Sequence, residues 1–294
     1  MDMNTRKLIT YIFCAFIPMI GIGVSLNYIA TAESLAPSLK AITRSLLTSG
    51  AMLLPMIAVI ITQASNKEPI FRNLDISFKI NRWWLIGWIL MPLVALAVLG
   101  VTLLMPGAKW AADSELMQLT MQSMPEGLGV WSVVAITLVS GMFAGLTINA
   151  VFAFGEEIGW RGYLLKIFKG QTFLTTALWT GIIWGFWHAP LILNGHNYPQ
   201  HPVAGVFMMV AMCVALTPIL MYFRQKSGSV IVPAIMHGTF NGVIGLSMIL
   251  VTPANDLLYG GPGLAGIITF LMVDIFIYVY DRFICKENIF KSLL

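Results

Sequence analysis

Charge is what this chain has least of. Only 10% of its 294 residues are Asp, Glu, Lys or Arg, 58% are hydrophobic, and the mean hydropathy is +0.83. Soluble domains carry about 25% charged residues, so a soluble globular fold is excluded. Cysteine is scarce as well: Cys14, Cys213 and Cys285 form no C-x-x-C pair, which removes the basis for a disulfide framework or a cysteine zinc site. H-E-x-x-H is absent, which excludes the common zinc-protease helix. No internal repeat is visible, so a transporter built from inverted repeats gains no support. No basic cluster alternates with aromatic residues, so the net charge of +4 does not indicate nucleic acid as a partner.

What the chain has instead is long apolar runs. A membrane span needs about 20 such residues, and eight spans can be placed, at roughly 8–30, 46–65, 84–105, 132–158, 173–193, 203–223, 229–251 and 262–280. The first follows Arg6 and Lys7. It exceeds the roughly 7–15 residues of a signal-peptide core, so it is expected to be retained as a span. With the N-terminus inside, all but Lys40, Arg44 and Lys109 of the 17 Lys and Arg residues fall on the cytoplasmic side. The positive-inside rule then predicts both termini cytoplasmic. Trp83, Trp84 and Trp110 stand where interfacial aromatics belong. Residues 31–45 and 111–128 mix apolar and polar side chains and are expected to be amphipathic interfacial helices or plain loops. The expected fold is an all-α polytopic bundle of about eight transmembrane helices, N-in and C-in. It forms a single integral-membrane domain over 1–294, with a core at 130–250 and the lipid bilayer as its surroundings.

Three polar motifs interrupt the apolar runs. The first is Gly155-Glu156-Glu157-Ile158-Gly159-Trp160-Arg161. On a helix, Glu157 and Arg161 share a face and can pair, while Glu156 points about 100° away. One carboxylate is then held by the guanidinium and the other is left to take a proton from water and return it to a leaving amine. The second is Trp184 through His188, again one turn apart. The third is His237 through Asn241, whose imidazole N–H and side-chain amide are suitable donors to a developing oxyanion. Ionisable groups at bilayer depth are functional candidates by default. Plainer readings stay open: an ion-paired helix end, a packing histidine, and interhelical hydrogen bonds. So does a zinc site made by Glu156, His188 and His237.

Each motif is flanked by a G-x-x-x-G pair, namely Gly155 with Gly159, Gly181 with Gly185, and Gly238 with Gly242. Such pairs let helix backbones approach closely. Glu156 falls near the end of the fourth span and His188 late in the fifth. The two reach one depth only if the fourth span continues as helix past Arg161, to about Lys166. Asp274, with Tyr278 one turn on, is expected to be a structural acceptor. His196 and His201 are expected to be solvated loop residues.

The three motifs together resemble the CPBP family of intramembrane proteases, also called the Abi or type II CAAX prenyl endopeptidase family. Its pattern is E-E-x-x-x-R, an aromatic one turn before a histidine, and H-x-x-x-N, and the resemblance covers roughly residues 130–250. It implies a peptide hydrolase acting near or within the membrane on a peptide or protein substrate, lipidated or not. Glu156 and His188 would activate the water, Glu157 and Arg161 would orient the site, and His237 and Asn241 would form the oxyanion hole. The family is often described as metalloproteases, so the cofactor is either none or Zn2+, with the donor character of His237 and Asn241 favouring none. The other function class is a non-catalytic membrane scaffold or a bacteriocin-immunity protein.

Overall fold

The structure, a computed structural model, describes residues 3–293. It is helical almost throughout. The longest helical stretches are α1 (Met3–Thr31), α4 (Arg82–Leu104), α11 (Pro202–Ser227) and α14 (Leu264–Val279), which runs on through a π-helical turn to Cys285. Between them run α2 (Pro37–Ala51), α3 (Leu54–Ser65), α5 (Glu115–Gln122), α6 (Val130–Leu146), α7 (Ile148–Glu157), α8 (Leu164–Ile167), α9 (Phe173–Trp187), α10 (Ala189–Ile192), α12 (Ile231–Val243) and α13 (Leu246–Ile249). A two-residue ladder pairs β1 (Lys109–Trp110) antiparallel with β2 (Val251–Thr252).

Five helices are long and apolar enough to cross a membrane, and seven spans result if each of two bent pairs counts as one. The bent pairs are Pro37–Ala51 with Leu54–Ser65, at 41°, and Val130–Leu146 with Ile148–Ile167, at 54°. The chain is a multi-pass integral membrane protein. The fifth expected span, 173–193, is a 15-residue helix followed after His188 by the short α10. The segment expected to be interfacial at 31–45 instead enters α2 at Pro37 and forms the first limb of a bent span. At 111–128, α5 is a short helix capped by the Ser114 hydroxyl.

The burial pattern follows from a lipid solvent. Along α1, Lys7, Tyr11, Ala15, Met19, Gly23 and Leu26 face inward, while Phe13, Ile17, Ile20, Val24 and Tyr28 are exposed. The inward residues recur every three to four positions, the spacing of one helical face. The outward ones are as apolar as the core, as lipid contact requires.

One end of the bundle is basic. Lys7 and Lys166 both bond Glu68, Arg224 pairs with Asp75, and Lys226 pairs with Glu287. The Glu68 carboxyl lies in the loop after α3. Hydrogen bonds from Lys7, then Lys166, hold it below its ordinary value. Trp83 at this end is packed inward against Tyr222 and Phe223, under the Lys226 ammonium at 4.6 Å, rather than facing lipid. At the opposite end Trp110 stacks on Trp131 at 5.5 Å, both exposed.

Candidate functional site

The glycine pairs set how closely the motif helices meet. A Cβ on Gly185 would lie 2.5 Å from Val210 Cα, and one on Gly181 2.7 Å from Val214 Cα, so α9 lies backbone to backbone against α11. Gly238 abuts Asn149 and Ala150 of α7, and Gly242 abuts Gly141 of α6. Gly155 and Gly159 face Met52 and Pro55 beside the break between α2 and α3. Short polar side chains can therefore converge from helices whose backbones touch.

The helix carrying the first motif does continue past Arg161. It passes through a π-helical turn, Ile158–Tyr163, and resumes as α8 to Ile167. π-turns gather at functional sites because they rotate the side chains that follow. Here the turn holds Trp160 and Arg161 alongside Glu156 and Glu157. At about 1.5 Å per residue, Glu156 then sits about 15 Å inside the Lys166 end, near mid-depth of an approximately 30 Å apolar core.

Glu157 and Arg161 pair at 3.0 Å, and neither side chain touches solvent. The other Arg161 amino group donates to Thr217 Oγ1 at 3.2 Å, and the guanidinium lies 4.2 Å from the Trp184 ring centre. His237 Nδ1 donates to the same Glu157 oxygen at 2.9 Å. Glu157 is thus bound to a cation and to an imidazole, and its charge is paired in a place where an unpaired charge would be costly.

Glu156 is held differently. Its Oε2 accepts from Trp184 Nε1 at 2.7 Å and from Trp160 Nε1 at 3.3 Å. Both partners are neutral, which leaves Oε1 for a ligand. Trp184 joins the three motifs: its ring centre is 5.8 Å from that of His188 and 5.4 Å from that of His237. His188 Nδ1 donates to the Trp184 carbonyl at 2.9 Å. That bond sets the tautomer, so Nε2 carries the lone pair.

Glu156, Trp184, His188, His237 and Asn241 all line one cavity of about 320 Å³. Its remaining wall includes Thr48, Ser49 and Met52 of the first bent span, Met209 and Met212 of α11, and His196, Asn197 and Pro262 from loops at the end opposite the basic one. Two breaks in regular helix, at Met52 and at His188, border it. Non-helical backbone at membrane depth is tolerated where it lines a cavity. Glu157 and Arg161 stand behind this lining and touch it through His237 and Trp184.

The donors do not form a metal shell as arranged. Among the described residues no three His, Cys, Asp or Glu side chains converge closely enough to hold a metal ion, Glu156, His188 and His237 included. One Glu156 oxygen is committed to two indole N–H groups.

Several contributors were not read from the sequence. Trp160 carries no signal beyond its place inside the E-E-x-x-x-R motif, and Thr217 none at all. His196, expected in solvent, lines the cavity because the Asn194–Pro202 loop folds back over it. Burial first, then the Arg44 cation, pushes His196 below the ordinary histidine range. His201 bonds Asp256 at 2.6 Å and ties two loops together. Asp274 lies apart, in a groove between α9, α11 and α14, and its Oδ1 finds no hydrogen-bond partner among the described residues, so the expected structural acceptor is not formed there.

Residues 131–243 match the family described as Type II CAAX prenyl endopeptidase Rce1-like. The matched segment contains all three motifs. No curated protein matches the chain.

Proposed function

We propose, taking that Rce1-like segment as the premise, that the protein is an intramembrane endopeptidase in which Glu156 and His188 activate a water molecule. The observation that carries the reading is the convergence of Glu156, His188, His237 and Asn241 on one cavity at mid-depth. In this reading residues 130–250 are the catalytic core of a single integral-membrane domain spanning 1–294.

The reaction is peptide hydrolysis. Glu156 Oε1 takes a proton from water as the water oxygen bonds to the scissile carbonyl carbon. His188, with its free Nε2, orients that water. The carbonyl oxygen becomes an oxyanion and accepts from the Asn241 amide and from His237. Because His237 Nδ1–H is given to Glu157, its cavity-facing Nε2 donates when the ring is protonated. The C–N bond then breaks and Glu156 passes its proton to the leaving amine. Arg161 holds Glu157, and Glu157 holds His237, so these two act by positioning. No metal enters this scheme.

The substrate in this reading is a peptide or the membrane segment of a protein. The apolar cavity wall, with Met209, Met212, Leu216 and Phe240, admits a lipidated residue as well as a large apolar side chain. The basic end is proposed to face the cytoplasm with both termini.

The test is cleavage of fluorogenic peptides, prenylated and unmodified, by the detergent-purified chain. Wild type is compared with Glu156→Ala, each with and without a strong chelator. Cleavage that survives chelation and is lost in the variant is the expected result. Cleavage lost on chelation and restored by zinc would overturn the metal-free scheme. A biological activity that Glu156→Ala retains in full would overturn the peptidase reading in favour of a non-catalytic scaffold or immunity protein.

A further inference from the structure

The cavity has a closed floor and an open side. Glu156 is 2% exposed and His237 5%, while Asn241 and Asn197 are exposed. Below Glu156, toward the basic end, the way is plugged by Trp160, Tyr163, Tyr11 and the ion-paired Arg161, all fully buried. Tyr11 packs edge-on against Trp160 at 5.9 Å and tilted against Tyr163 at 5.1 Å, so the three rings pack together across this end. Above Glu156 the wall turns polar: Thr48, Ser49, Asn241, then His196 and Asn197. The loop bearing His196 and the Pro262 loop belong to the end at which α10 stops and α11 and α14 start, away from Lys7, Lys166, Arg224 and Lys226.

Charge separates the two ends further. With Arg161 buried in the bundle, thirteen of the other sixteen Lys and Arg residues lie at the closed end, among them Lys7, Lys166, Lys169, Arg224 and Lys226. The cavity end carries Lys40, Arg44 and Lys109 against Glu33, Asp113, Glu115, Glu126 and Asp256. A bias of that size assigns the closed end to the cytoplasm.

We infer that the site is served from the non-cytoplasmic side, and that its substrate is an apolar peptide segment presented from that side, cut near mid-depth of the bilayer. The inference rests on the peptidase reading above for the word cut, and on the cavity and charge asymmetry for the side. Water reaches Glu156 along the same polar wall. The substrate class this selects is an exported or outward-facing membrane peptide. A lipidated C-terminus displayed on the cytoplasmic leaflet would meet the plugged face.

Two measurements test it. The first is thiol labelling of the full chain in cells, with Cys14 and Cys285 replaced by Ser. Thr48→Cys, inside the cavity, is expected to react with a small membrane-impermeant methanethiosulfonate at least tenfold faster in intact cells than in inverted vesicles. Lys169→Cys, exposed at the basic end, is expected to show the opposite preference. Labelling of Thr48→Cys only in inverted vesicles, or of Lys169→Cys in intact cells, would overturn the inference. The second is cleavage of a fluorogenic apolar peptide with charged ends that keep it from crossing the membrane. Intact cells are expected to cleave it at least tenfold faster than inverted vesicles, with the difference gone in Glu156→Ala. Faster cleavage by inverted vesicles would also overturn the inference. Absence of cleavage even by the detergent-solubilised chain would sink the peptidase reading, while the labelling result would still decide the side.

Discussion

Trp184 Nε1 donates to Glu156 Oε2 at 2.7 Å, and the same indole ring carries the Arg161 guanidinium on its face at 4.2 Å. One side chain thus orients the carboxylate proposed to handle the proton and covers the cation that neutralises its neighbour. Trp184→Phe keeps the apolar ring and removes the N–H. A hydrogen bond to a charged group is worth about 1.5–3 kcal/mol, so kcat is expected to fall about 10- to 100-fold with KM little changed. Steady-state kinetics on the purified chain check this. An unchanged kcat would show that Trp160 alone orients Glu156.

Asn241 stands at the exposed side of the cavity, and its side-chain amide bonds no protein group among the described residues. A role as oxyanion donor predicts that Asn241→Ala loses about 10²–10³ in kcat, without a fall in melting temperature. A variant that unfolds but retains its rate per folded molecule would instead mark Asn241 as structural.

The fold class was legible because lipid imposes it. Apolar runs such as 84–105 and 203–223 have no other stable form, and α4 and α11 fall on them. The bent spans were not legible, because bends at Met52 and Thr147 depend on what packs beside them. Met52 abuts Gly155, and Gly145, just before the second bend, abuts Thr239. In the site, the pairings four residues apart could be read directly, since helical spacing alone brings Glu157 to Arg161. Contacts between helices could not. Nothing local marks Thr217 as the Arg161 partner, and nothing in the Asn194–Pro202 loop shows that His196 folds over the cavity.

Arg161 and Glu157 test how far the site is held by charge. Removing one partner of a buried pair strands the other, at a cost of about 3–5 kcal/mol. Arg161→Met is therefore expected to destabilise the folded chain by that order in detergent, and Glu157→Gln by less, because His237 and Arg161 can still bond the amide. The double variant Arg161→Met, Glu157→Gln is expected to recover much of the loss. Thermal unfolding of the four forms completes the cycle, and strictly additive losses would show that the two groups are not coupled.

Glu68 gives the chain an acid-side dependence of stability that has nothing to do with the proposed chemistry. Hydrogen bonds from Lys7, then Lys166, hold its carboxyl below the ordinary value of 4.5. A depressed carboxylate contributes stability that is fully present above the unfolded-state value. The contribution is lost as the pH falls through the lower folded-state value. Glu68→Gln is expected to melt at a lower temperature than wild type at pH 7. The two curves should draw together below pH 4.5, as wild-type Glu68 takes up its proton and the α1–α3–α8 tie weakens. Melting temperatures measured in detergent between pH 7 and pH 3 decide the matter. Two curves that stay parallel to the lowest pH would mean that the ties to Lys7 and Lys166 add nothing to stability.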